Sequence, residues 1–265
     1  MSWTLIRHAI AMVMSNMSDA LKASVVPFAL VLIIGVIFPV PTFPVADIEA
    51  VDPSELMAWS QEHAVEVAFI TLFTALVSVF AFSWVAVVWH RFILLEEYPN
   101  AVPAVNGLPI FTYIWRSFVL GLILMIAAIP VMILAFPLIG ILGGSSASPE
   151  QFSVSFLVVM FLVGSVMSFV WLRLAIVLPG VAIGAAMTFK QGWAETAPLA
   201  GAIFGAGVII VAFNLIVGAL LGPLFGEGTI VGLVVGLAVQ WFTLMVGASM
   251  LTTLYGHLIE GRDLV

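Results

Sequence analysis

Six stretches of this chain contain no aspartate, glutamate, lysine or arginine: residues 23–46, 67–90, 117–149, 151–172, 196–226 and 228–259. Each can cross a hydrocarbon layer of about 30 Å, which takes about 20 helical residues. Inside lipid every backbone N–H and C=O must be satisfied within the protein, so only helices and closed β-barrels span. A barrel would show ~10-residue segments of alternating hydrophobicity. Strings such as VLIIGVIF and VGLVVGLAV are apolar on every face instead. The expected fold is all-α: a polytopic membrane protein with six transmembrane helices, arranged as three helical hairpins with cytoplasmic interfacial helices. Residues 1–265 read as a single transmembrane domain.

Composition agrees. Hydrophobic residues make up 63% of the chain and charged residues 8%, where soluble domains carry about 25% charged residues. The absence of cysteine excludes disulfides, thiol catalysis and thiolate metal sites. Residues 1–22 carry Arg7, His8, Asp19 and Lys22, which does not fit the apolar core of a cleaved signal peptide.

The cations set an orientation. Threading six spans places all of them on one side: Arg7 and Lys22 before span 1, Arg91 and Arg116 between spans 2 and 3, Arg173 and Lys190 between spans 4 and 5, and Arg262 after span 6. The positive-inside rule then puts both termini in the cytoplasm. The other loops are acidic, with Asp47, Glu49, Asp52, Glu55, Glu62 and Glu66 in or beside the first, and Glu150 and Glu227 in the others. Trp89, Trp115, Trp171 and Trp193 lie beside the cations and read as an aromatic belt; Trp84 and Trp241 lie deeper and read as packing between helices.

The spans are expected at about 24–40, 64–89, 114–140, 152–172, 198–222 and 229–255. Before the first, Trp3, Ile6, Ile10, Val13, Met17 and Leu21 recur at helical spacing, so residues 2–22 read as an amphipathic helix on the membrane surface. Asp52-Pro53-Ser54-Glu55 can start a short surface helix. Pro130 and Pro137 predict a kink or an unwound end in span 3, and Gly143-Gly144-Ser145-Ser146 a flexible outer turn. The 16 uncharged residues 174–189, broken by Pro179-Gly180, are too few for a full crossing and read as an interfacial or shallow re-entrant segment. Thr188 and Gln191 match a capping box that starts a new helix.

Three span ends look alike: Trp89-His90-Arg91, Trp171-Leu172-Arg173 and Tyr255-Gly256-His257. They suggest parallel repeats of residues 1–104, 105–186 and 187–265. Gly201/Gly205 and Gly232/Gly236 are GxxxG spacings that allow close helix approach.

Candidate functional residues are few. Arg91 and Arg173 sit in apolar text at span ends. They suit snorkelling to headgroups or an anionic headgroup site between hairpins, joined by His90 and His257, since guanidinium binds phosphate in two bonds. Asn214 and Gln240 are the strongest polar groups deep in spans and are candidates for interhelical hydrogen bonds. Glu62, His63 and Glu66 share a helix turn but make a poor metal set; no metal and no cofactor is expected. No ionisable residue lies at mid-membrane depth, which argues against an ion-coupled pump. No nucleotide-binding, zinc-protease or hydrolase motif is present.

The strings WVAVVWHRFILLEE and RLAIVLPGVAIGAAMTFKQGWAETAP resemble uncharacterised bacterial inner-membrane proteins related to the YciC-like and glycerophosphoryl diester phosphodiesterase membrane-domain families. The motif covers about 40 residues, the architecture most of the chain. The resemblance implies a six-helix module in the bacterial cytoplasmic membrane, without the phosphodiesterase reaction, whose metal-binding domain is missing. Three functions are open. A non-enzymatic module binding membrane lipids or another membrane protein, and not nucleic acid, predicts a tightly packed bundle. A transporter or transporter subunit predicts a polar cavity at Asn214, Gln240 or Ser168. An enzyme requires His90, Arg91 and Glu96 to converge.

Overall fold

A computed structural model describes residues 1–43, 52–143, 149–225 and 230–264. Among these the chain is helical, with no strand, and six helices are long and apolar enough to cross a membrane. The protein is a polytopic helical membrane protein. The helices are α1 (Ser2–Ser15), α2 (Met17–Ile37), α3 (Pro53–Leu95), α4 (Ile110–Gly143), α5 (Pro149–Ala175), α6 (Val177–Ala182), α7 (Phe189–Glu195), α8 (Ala200–Phe225) and α9 (Ile230–Leu258). Of the outer turns expected from sequence, Pro44, Asp47, Glu49, Gly144 to Ser146 and Glu227 lie outside the described residues, as does the side chain of Glu150.

α3, α4, α5, α8 and α9 form a ring in which each packs on the next and α9 closes on α3, while α2 lies against α3 outside it. Two short helices fill the end of the ring that carries both termini, called here the terminal face. α1 packs on α8 and α9, and α6 wedges among α3, α4 and α9. Burial follows this arrangement. Almost every buried residue lies in the terminal half, in runs such as 84–90, 172–182 and 248–255. In the distal half the described buried residues are Ile70, Ala135, Ser155 and Val159. Lipid is as apolar as leucine, so apolar side chains gain nothing by turning inward; helices hold together where small residues or hydrogen bonds join them.

Three boundaries differ from the sequence expectation. Residues 2–22 are not one surface helix. α1 stops at Asn16, whose side-chain amide donates to the Met12 carbonyl (2.8 Å), and α2 starts at once. The inner face of α1, Leu5, Ile6, Ala9 and Val13, is buried by protein. Among the described residues no separate surface helix precedes span 2, since the helix that starts at Pro53 is the spanning one. Asp52 caps α3, accepting from the Ser54 N–H and hydroxyl, both at 2.8 Å, and these bonds hold its carboxyl below the ordinary range. The helix then runs 43 residues, about 65 Å at 1.5 Å per residue, because neither glycine nor a further proline interrupts it. Glu62 and Glu66 mark a solvated extension of a spanning helix, not its start. Finally, α4 runs unbroken through Pro130 and Pro137 to Gly143, so the expected unwound end is absent.

The first part of residues 174–189 forms a plug. Every residue of α6 is buried by protein, packed among α3, α4 and α9. Glycine makes this possible twice. Gly184 (φ +80°) ends α6 in a Schellman turn, with Ala185 N–H donating to Gly180 (2.8 Å) and Gly184 N–H to Val181 (3.3 Å). A Cβ on Gly180 would fall 2.7 Å from the Ala185 carbonyl oxygen. The Thr188–Gln191 capping box then starts α7 as the sequence predicts.

The small residues that join α5 to α8 are not the GxxxG pairs. A Cβ on Gly201 or Gly236 meets nothing within 4 Å, whereas one on Gly207 would lie 3.3 Å from the Phe169 backbone nitrogen, and one on Gly164 3.1 Å from Val211. Gly205 instead admits the start of α1, at Ser2. Gly207→Val should therefore cost about 1–3 kcal/mol through overpacking. Gly201→Ala should be neutral, or stabilising by up to about 1 kcal/mol from helix propensity. Thermal unfolding of the two variants in one detergent checks the order.

Candidate functional site

The polar groups of the terminal half are used to join helices. Trp89, fully buried and so not part of an aromatic belt, donates its indole N–H to Ser249 on α9 (2.9 Å). Trp241 does pack between helices as expected, donating to Ser24 on α2 (2.7 Å). His90 is also fully buried. Its Nδ1 lies 2.7 Å from the Thr252 hydroxyl and its Nε2 3.3 Å from the Tyr113 hydroxyl. Thr252 already donates to the Ala248 carbonyl (2.8 Å). It therefore accepts from Nδ1–H, while Nε2 has the Tyr113 hydroxyl as its partner. Both ring nitrogens are thus satisfied, tying α3, α4 and α9 together.

Three arginines each bind the terminal carbonyls of a helix from another segment. Arg91 makes a two-bond ion pair with Glu97 (2.6 and 2.7 Å) and donates to the Ala182 carbonyl at the end of α6 (2.9 Å). Arg173, 7% exposed, donates to the Thr196 hydroxyl (3.0 Å) and to the Trp193 carbonyl, and lies 3.7 Å over the Trp193 ring. Arg262 donates to the Ile93 and Leu94 carbonyls (3.1 and 2.9 Å), ending α3. The last carbonyls of a helix lack partners within it and carry negative partial charge, so a guanidinium satisfies both needs.

The four residues proposed from sequence for a headgroup ring thus have four separate sets of partners. His257 donates from Nδ1–H to the Arg262 carbonyl (2.8 Å), apart from His90, Arg91 and Arg173. Arg91 pairs with Glu97, and His90, Arg91 and Glu96 do not converge. Asn214 bonds the Ile210 carbonyl of its own helix (2.8 Å), a local bond that any asparagine can make, and not one across helices. Gln240 is exposed. His63 bonds the Trp59 carbonyl and stacks on the Trp59 ring at 4.6 Å.

Sequence reasoning missed the cavities. One of about 450 Å³ lies among α1, α5, α8 and α9, with Trp3, Ile6, Ile210, Phe213, Val246 and Met250 on its walls. Ser168 and Asn214 are on its wall as well, yet the surface is almost wholly apolar. A second, of about 430 Å³, lies among α3, α4, α6 and α9, lined by Phe82, Ala86, Leu120, Leu124 and Leu251, with the hydroxyls of Ser83, Tyr113 and Ser117. The bundle is therefore not tightly packed throughout, and the walls of these two cavities are mostly apolar. No sequence signal marks such voids where every helix is apolar all round. The only hint is glycine: Gly121 and Gly247 line the second cavity, and a Cβ on either meets nothing within 4 Å.

The chain matches no family model, and neither its sequence nor its fold finds a match among curated proteins or solved structures.

Proposed function

We propose that this protein is a non-enzymatic membrane module that binds lipid inside its helical bundle. The observation that carries the reading is the 450 Å³ apolar cavity at the depth of the spans. It falls within the usual size of ligand sites, and what surrounds it in a bilayer is acyl chain. Water has too few polar partners to fill such a space. The seven lysines and arginines at one end favour cytoplasmic termini, and the resemblance at 84–97 and 173–198 favours a bacterial cytoplasmic membrane. A partner membrane protein is compatible with the same reading, since the distal half of the bundle leaves apolar helix faces unpaired.

Purification in mild detergent, followed by native mass spectrometry, tests the proposal. About one tightly retained lipid per chain is expected, surviving exchange into a detergent that strips annular lipid. A folded, monodisperse protein that retains none overturns it.

A second reading, lipid transport, draws on the burial gradient: the terminal end is closed while the distal half packs loosely. It predicts movement of a fluorescent lipid between leaflets of reconstituted vesicles. A rate equal to protein-free vesicles removes this reading and leaves the first in place.

A further inference from the structure

We propose that the two cavities are two branches of one site, which holds a single two-chain glycerolipid with one acyl chain on each side of α9. This rests on the lipid-binding reading and adds what the lipid is. The volumes are nearly equal, about 450 and 430 Å³. The cavities share three lining residues, Trp171, Thr243 and Gly247. Those three form a common wall, and the wall is thin at α9: a Cβ on Gly247 meets nothing within 4 Å, so α9 presents bare backbone between the branches. Two independent single-chain sites need no shared wall. A two-chain lipid does need its chains to part at one point, around a small residue.

The polar groups fit the same occupant. The walls are mostly apolar, as chains require, with Asn214 on the first and Ser83, Tyr113 and Ser117 on the second. Thr243 lies on both walls at the junction, and Ser168 lines the first cavity one helical turn from Trp171. Hydroxyls there can donate to ester carbonyls, which lie where the two chains meet. No cation lines either cavity, so the site reads chains and esters and does not select an anionic headgroup.

The experiment is a titration of the intact detergent-purified protein with dioleoylphosphatidylglycerol, dioleoylphosphatidylcholine and oleoyl lysophosphatidylcholine, read as bound stoichiometry by native mass spectrometry. Wild type is expected to hold one two-chain lipid, with either headgroup. Ile210→Trp obstructs the first cavity alone and Leu124→Trp the second alone. Each is expected to weaken two-chain binding by tenfold or more while one lysolipid still binds. Gly247→Leu, whose Cβ meets nothing within 4 Å, should do the same by closing the junction. Two lipids per wild-type chain, falling to one in each single-cavity variant, would show separate sites and overturn the proposal with lipid binding intact. Unaltered binding by all three variants, each with a wild-type unfolding temperature, would also overturn it. No binding by wild type defeats the lipid reading itself.

Discussion

Arg173→Gln is expected to destabilise the bundle by about 3 kcal/mol while leaving bound lipid unchanged in the molecules that remain folded. The side chain is buried, and its guanidinium makes three interactions at once. Hydrogen bonds to a charged group contribute about 1.5–3 kcal/mol each, and a desolvated cation over an indole face up to about 2 kcal/mol. These do not add in full, because removing the arginine relieves its own burial cost. The Trp193 carbonyl loses its charged donor and keeps only the Thr196 hydroxyl at 3.1 Å, which it shares with the Gly192 carbonyl. Thr196 fares better, since its hydroxyl still bonds the Gly192 carbonyl (2.9 Å). Lysine should recover little, lacking the planar fork that donates twice and stacks. A shift of 3 kcal/mol raises the unfolded fraction by about two decades, which reversible unfolding in mixed micelles detects. Arg7→Gln, on an exposed side chain, should change stability by less than about 0.5 kcal/mol. A headgroup-binding arginine gives the opposite pair of results, stable protein and altered lipid.

What the sequence revealed and concealed follows from the solvent. Six spans were legible because charge is costly in hydrocarbon, so charge-free windows mark them. The capping box at Thr188 was legible because its chemistry is local. The ends of α3 were not. Glu62 and Glu66 leave the lipid without leaving the helix, and a charge-free window locates only the membrane crossing. The roles of Arg91 and Arg173 were hidden for another reason. An arginine at a span end reads the same whether it snorkels to phosphate or caps a neighbouring helix. The choice depends on α6 and α7, whose positions are tertiary. Helix faces were hidden most of all. In water an apolar stripe betrays the core, but α8 and α9 are apolar all round, and so their cavities left no pattern.

The same physics explains why the stability of this protein is gathered at one end. Hydrogen bonds from Trp89, His90, Trp241 and three arginines cross between segments there, beside α1 and α6. α2 rests mainly on α3, with the Trp241–Ser24 bond tying it to α9. The cavities lie just beyond the plug, where joined helices begin to part. A site in that position is held by a rigid base and reached through a looser half, which suits entry of chains from the bilayer.

Trp89→Ala is expected to cost about 3 kcal/mol, and Trp115→Ala almost nothing. Both tryptophans lie near the cationic end and look alike in sequence. Trp89 is fully buried, packed at 5.5 Å against the Phe92 ring and among Val13, Val85 and Met245, whereas Trp115 is 62% exposed. In water, truncating a buried tryptophan costs about 3–5 kcal/mol. In a bilayer the transfer part shrinks, because a helix that separates exposes Trp89 to lipid and not to water. The lost dispersion contacts and the cavity remain, and so does the orphaned Ser249 hydroxyl. Trp89→Phe isolates the hydrogen bond, which should account for about 0.6–2 kcal/mol of the total. Unfolding of all three variants in one lipid–detergent mixture measures these differences. Equal, small effects of the two alanine changes would return Trp89 to the membrane interface and dissolve the joint between α3 and α9 on which the closed ring depends.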